Sequence, residues 1–177
     1  MKKMIALFLS LLMLMSMTGA MASEVISTIE LTEKVDIQME LPEGYTAMKQ
    51  RLDSVLYAGI YTNDENKPQF TLSIAYSDLT YAVPEIVLTS EEEIEQAKQI
   101  IGMDFADPTY TVEATTHGTK FLVINENGAE EDYAHLVTNY QGYFIQMYIN
   151  AAEGAEVTDE DIATALAILS SLALVTE

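Results

Sequence analysis

The feature that most constrains the fold is the last helical pattern, Thr158-Asp159-Glu160-Asp161-Ile162-Ala163-Thr164-Ala165-Leu166-Ala167-Ile168-Leu169-Ser170-Ser171-Leu172. Thr158 followed three residues later by Asp161 resembles a capping box, with Asp where Glu is usual. Three acids in the first turn suit the positive end of the helix dipole. Ile162, Leu166 and Leu169 form a helical stripe, and Ala165, Ala167 and Ile168 widen it. A broad apolar surface built partly of small side chains packs best on something flat. The preceding chain is rich in strand patterns, so one sheet with this helix lying across it is expected.

Those strand patterns run in order. Residues 25–31 alternate weakly, and residues 35–41 alternate strictly, as a strand with one wet face does. Pro42-Glu43-Gly44-Tyr45 reads as a turn, because Pro cannot extend a ladder and Gly takes positive φ cheaply. Residues 55–62 are apolar on both faces and are expected centrally in the sheet. After the polar loop Asn63-Asp64-Glu65-Asn66-Lys67-Pro68, residues 69–77 place Phe70, Leu72, Ile74 and Tyr76 on one side, which predicts an antiparallel hairpin with 55–62. Residues 79–88, interrupted by Pro84, read as a connection. Ser90 then starts a helix with Glu93 at the capping-box position and Ile94, Ala97 and Ile101 as its stripe, and Gly102 lies near its end. A meander follows. Residues 110–114 turn at Thr116-His117-Gly118 into the doubly apolar run 119–125, Asn127-Gly128 marks the next turn, and residues 133–139 and 143–150 form the last hairpin.

Four strands, a helix, four strands and a helix predict an α+β fold, a mostly antiparallel sheet with helices packed on its faces. The two doubly apolar strands need cover on both sides, which favours a three-layer α/β/α sandwich.

The N-terminus reads as a secretory signal peptide: Lys2 and Lys3, an apolar core over residues 4–17, and Ala20-Met21-Ala22 as a small-x-small cleavage site. An apolar run of ~14 residues is short of the ~20 that a spanning helix needs. The expectation is a signal peptide over 1–22, a single domain over 23–177, and a secreted or periplasmic protein with no membrane span after cleavage near Ala22. The chain has a formal net charge of −20, and losing Lys2 and Lys3 deepens it. Such a surface repels phosphate backbones and anionic headgroups, which argues against nucleic acid and against charge-driven membrane docking. With no Cys in the chain there is no disulfide and no thiol chemistry, so burial must stabilise the fold.

Two stretches resemble the PsbP-like family, which groups the photosystem oxygen-evolving protein P with the Mog proteins that bind the Ran GTPase. One is the alternating strand running into Leu41-Pro42-Glu43-Gly44-Tyr45, similar to the family's strand and Pro-x-Gly-aromatic opening. The other is Ala167-Ile168-Leu169-Ser170-Ser171-Leu172, similar to its closing helix. Tyr45 stands where many relatives have Trp. The resemblance implies an α/β/α sandwich and a non-enzymatic domain that binds a partner or assists assembly. It carries over no functional residue, because neither stretch is a site.

No catalytic residue and no cofactor is read from the sequence. His117 falls in a turn and His135 in a strand, and a zinc site needs about three or four convergent ligands. No Gly-x-Ser-x-Gly elbow, Ser-x-x-Lys motif or phosphate-cradling Gly loop is present. Calcium is the one ion the loops suggest. Asp64 and Glu65 in one loop, and Glu126, Glu130, Glu131 and Asp132 around another, offer hard oxygen ligands without the EF-hand spacing. Seven of the ten Tyr (57, 61, 76, 110, 133, 143 and 148) fall in predicted strands, where several on one exposed face would make a platform for sugar rings or a partner protein. The expected function is a secreted, non-enzymatic binding or accessory domain whose partner is an extracellular protein or glycan. The alternatives are a calcium-dependent or carbohydrate-binding module and a small hydrolase without a recognised motif.

Overall fold

The structure is a computed structural model, and it describes residues 35–52, 55–76, 86–101, 108–126 and 133–176. The predicted strand 25–31 lies outside them.

Seven strands form one antiparallel sheet: β2 (Tyr45–Leu52), β3 (Val55–Thr62), β4 (Gln69–Tyr76), β5 (Thr109–Ala114), β6 (Lys120–Glu126), β7 (Tyr133–Tyr140) and β8 (Tyr143–Asn150). Their spatial order is β2-β3-β4-β8-β7-β6-β5. The two halves are meanders, joined where β4 pairs with β8, Leu72 opposite Met147 and Ile74 opposite Ile145. The short strand β1 (Val35–Gln38) stands apart, pairing antiparallel with β9 (Ala173–Thr176) in a two-stranded ribbon. The helices are α1 (Glu91–Ile101) and α2 (Asp159–Ser171).

Alternation along the strands sorts the core into two clusters. On one face, called face 1, Leu56, Ala58 and Ile60 of β3, Phe70, Leu72 and Ile74 of β4, and Ile145, Met147 and Ile149 of β8 pack with Ala165, Ile168 and Leu169 of α2. Ile37 and Met39, on and just after β1, close the same cluster. On the opposite face, face 2, Leu122 and Ile124 of β6, Val137 of β7 and Phe144 of β8 meet Ala97 of α1, with Ile94 and Ile101 at its margin. Ile86 and Leu88, in the connection before α1, join this second cluster, and the Ile86 N–H donates to Asn139 Oδ1 at the end of β7.

Both helix starts form as their sequences dictate. The Thr158 hydroxyl accepts from the Asp161 N–H at 3.3 Å while the Asp161 carboxylate accepts from the Thr158 N–H at 2.9 Å. At α1 the Glu93 carboxylate accepts from the Ser90 N–H at 2.9 Å, and the Ser90 hydroxyl accepts from the Glu93 N–H at 3.3 Å. The doubly apolar β6 is buried on both faces, as its composition requires.

Two strands form where the patterning assigns none, and one expected placement is corrected. Residues 45–52, which carry no clean alternation, form the edge strand β2. The last residues, past α2, form β9. Strand β3 is one place in from the edge rather than central, and on face 2 its Tyr57, Gly59 and Tyr61 are only half-buried.

Candidate binding face

Face 2 is divided. The cluster under α1 draws on β5 to β8 and on Ala75 near the end of β4, and on nothing in β2 or β3. The ladders lay two rows of residues across the remainder. One row runs Met48, Gly59, Thr71, Tyr148, His135, and the next runs Tyr57, Ser73, Gln146. Tyr61 and Thr46, paired with each other, extend the surface by one more row. His135 and Ser73 are buried, Thr46 is exposed and the others are half-buried. None of these residues carries an acid or an ammonium, on a chain whose formal charge is −20.

The rows are tied together by rings and shared acceptors. The His135 and Tyr148 rings stack with centroids 4.2 Å apart and 8° between planes. His135 Nε2 and the Tyr148 hydroxyl both reach Gln146 Oε1, at 3.1 and 3.3 Å, so Nε2 carries the proton and donates. Burial lowers the His135 pKa from 6.5 to about 4, partly opposed by the hydrogen bond to Gln146, so the ring is neutral at physiological pH. Its Nε2 thus bonds to an amide, and its ring stacks on a tyrosine.

Period two in the sequence assigns Tyr57, Tyr61, Tyr133 and Tyr148 to one side of their own strands. It cannot show that β4 lies beside β8, which is what makes these residues one surface. Tyr143 has the opposite parity and is buried in the face 1 core. Tyr110 lies on face 2 on the α1 side, with the Lys98 ammonium 5.6 Å from its ring centroid.

The other singled-out residues lie elsewhere. His117 is exposed in the turn between β5 and β6, where Gly118 takes φ +82° and its N–H donates to Thr115 O at 2.9 Å. Asp64 and Glu65 occupy the loop between β3 and β4. Asp64 Oδ1 accepts from the Asn66 backbone N–H at 3.1 Å and from its side-chain amide at 3.2 Å, which lowers the Asp64 pKa. Asp64 shares an open hollow of about 480 Å³ with Glu43 and Lys67, and the Lys67 charge opposes a cation there. Glu126 ends β6, four strand spacings from β3, or about 19 Å at ~4.8 Å each. Glu130, Glu131 and Asp132 lie outside the described residues. Among the described residues no three His, Asp or Glu converge as metal ligands, and no helix is long and apolar enough to cross a membrane.

No family model matches the chain, and no curated protein matches it. It is similar to the solution structure of cyanobacterial PsbP (CyanoP) from Synechocystis sp. PCC 6803, with 13% identity and a TM-score of 0.47 over 91% of this chain and 98% of that one. It is also similar to a crystal structure from Bacteroides thetaiotaomicron VPI-5482, with 13% identity and a TM-score of 0.40 over 80% of this chain and 46% of that one. The site described above rests on the chain's own geometry.

Proposed function

We propose that this protein is an exported, non-enzymatic binding domain built as a three-layer α/β/α sandwich, and that it holds a partner protein against the uncharged, tyrosine-bearing part of face 2. The observation that carries this reading is the contrast in charge. Acids crowd the loops and helix starts, yet the rows from Met48 to His135 and from Tyr57 to Gln146 hold none. Tyr offers a large, stiff contact area with a polar tip, and Ser, Thr and Gln beside it supply adaptable hydrogen bonds. Leaving charge out lowers the desolvation cost of covering the surface. The layering is supported by α2 in the face 1 cluster and α1 in the face 2 cluster. Export is supported by the leader-like residues 1–22.

The test is site-specific photocrosslinking in the native exported fraction. A benzophenone side chain at Thr46 or Tyr57, both on this face, is expected to trap the same protein. The control at Ile100, exposed on α1, is expected not to. Identical adducts at all three positions refute the reading. A glycan released from the Thr46 and Tyr57 adducts, with no protein attached, moves the assignment to carbohydrate binding.

A further inference from the structure

We propose that β5 and the hollow beside it form a strand-addition site for an extended, cationic segment of another protein. This surface is separate from the tyrosine face and does not depend on it.

β5 ends the seven-stranded sheet and, among the described residues, pairs only with β6. Alternate residues of such a strand direct their N–H and C=O groups away from the neighbour they already have. Protein edges are commonly blunted by Lys, Pro or a bulge. Thr109-Tyr110-Thr111-Val112-Glu113-Ala114 contains no Lys and no Pro, pairs with β6 in unbroken register, and is built largely of strand-favouring residues. Its one charge is Glu113.

A hollow of about 420 Å³ opens along this edge on face 1, where α2 does not cover the sheet. Thr111 and Glu113 line it from β5, Asn125 from β6, and Asp159, Ile162 and Leu166 from α2. Its charged groups are both carboxylates. The hollow therefore offers acceptors to a donor, over an apolar floor.

A strand added to β5 places every second side chain on face 1, above this hollow. A Lys or Arg there lays its aliphatic stem along Ile162 and Leu166 and brings its N–H groups to Glu113 and Asp159. Main-chain ladder bonds supply affinity and the hollow supplies selectivity, which is the division of labour in strand addition. The negative field of the whole chain steers a basic segment toward it.

The probe is a capped peptide of alternating Thr and Lys, compared with one of equal length and charge in which two Thr are replaced by Pro, at about 0.15 M salt to suppress unspecific attraction. The alternating peptide is expected to bind the full chain at least about tenfold more tightly, because Pro removes ladder donors. It is also expected to slow hydrogen exchange at residues 109–114. Glu113→Lys is expected to weaken binding by about tenfold or more, and Tyr57→Ser to leave it unchanged. Equal binding of the two peptides, protection elsewhere in the sheet, or an inert Glu113→Lys overturns the proposal. So does a peptide-free dimer already protected at 109–114, because a second copy then fills the edge.

Discussion

The Tyr61 side chain lies over Gly59, so that a β-carbon built on the glycine would overlap the Tyr61 hydroxyl and stand 2.5 Å from its Cζ. The two residues are on the same side of β3, and the missing side chain at 59 is the space the ring occupies. A glycine inside a strand weakens it unless something uses the gap. Gly59→Ala is expected to expel the ring and destabilise the fold by about 1–3 kcal/mol, as overpacking does. Tyr61→Phe is expected to do the reverse. Among the described residues the buried Tyr61 hydroxyl has no hydrogen-bond partner, and burial raises its pKa. Removing it is expected to stabilise by about 1 kcal/mol. Urea unfolding of both variants, of Tyr61→Ala and of Gly59→Ala/Tyr61→Ala checks this, the double variant costing less than the sum of Gly59→Ala and Tyr61→Ala because the clash needs both residues.

His135 predicts a pH dependence of known sign. Its pKa is about 4 in the fold against 6.5 unfolded, so between those values the unfolded chain binds the proton that the folded chain refuses. The stability associated with the neutral buried ring is present above pH 6.5 and is lost as pH falls through that window toward 4. At about 1.4 kcal/mol per unit the full loss is on the order of 3 kcal/mol. The many carboxylates also titrate in acid, so the test is a difference. Unfolding free energies of the wild type and His135→Gln, measured from pH 7 to 4, are expected to converge as pH falls. Parallel curves would mean that His135 is not held neutral.

What the sequence makes legible here is local. Ser90 with Glu93 and Thr158 with Asp161 mark helix starts through hydrogen bonds that span three residues, and both form as read. The hairpins β3–β4 and β7–β8 are legible because a short polar stretch joins two strand-forming runs. The rest depends on contacts between distant residues. Nothing in residues 69–76 says that their second neighbour is 143–150, and that pairing assembles the tyrosine face. β2 is hidden because Met48, Lys49, Gln50 and Arg51 break the alternation. β9 is hidden because four residues after a helix carry no period of their own and become a strand only beside β1. The hollow at β5 depends on where α2 stops covering face 1, which no helical stripe reveals.

The reciprocal cap of α2 is expected to matter in proportion to the bonds it makes. Thr158→Ala leaves the Asp161 N–H without its side-chain acceptor and removes the hydroxyl contact to the Asp161 carboxylate at 2.8 Å. The expected cost is about 1 kcal/mol. Thr158→Ser is expected to restore most of it, which separates capping from packing. A chevron or equilibrium urea titration reads both.

The far end of α2 is fastened by two adjacent serines, and their substitution is expected to loosen different neighbours. Ser171 Oγ accepts from the Glu40 N–H at 2.8 Å while donating to Ile168 O at 2.7 Å. Ser170 Oγ accepts from the Thr116 N–H at 3.1 Å while donating to Leu166 O at 2.7 Å. The first ties the helix to the chain leaving β1, and the second ties it to the turn between β5 and β6. Each Ala substitution is expected to cost up to about 1 kcal/mol, since water can reach the freed N–H groups. Local exchange is the sharper readout. Ser171→Ala is expected to speed hydrogen exchange in the β1–β9 ribbon and leave the β5–β6 turn unchanged, and Ser170→Ala to do the opposite. A uniform increase across both regions would mean that the serines act through the stability of α2 as a whole rather than as two separate ties.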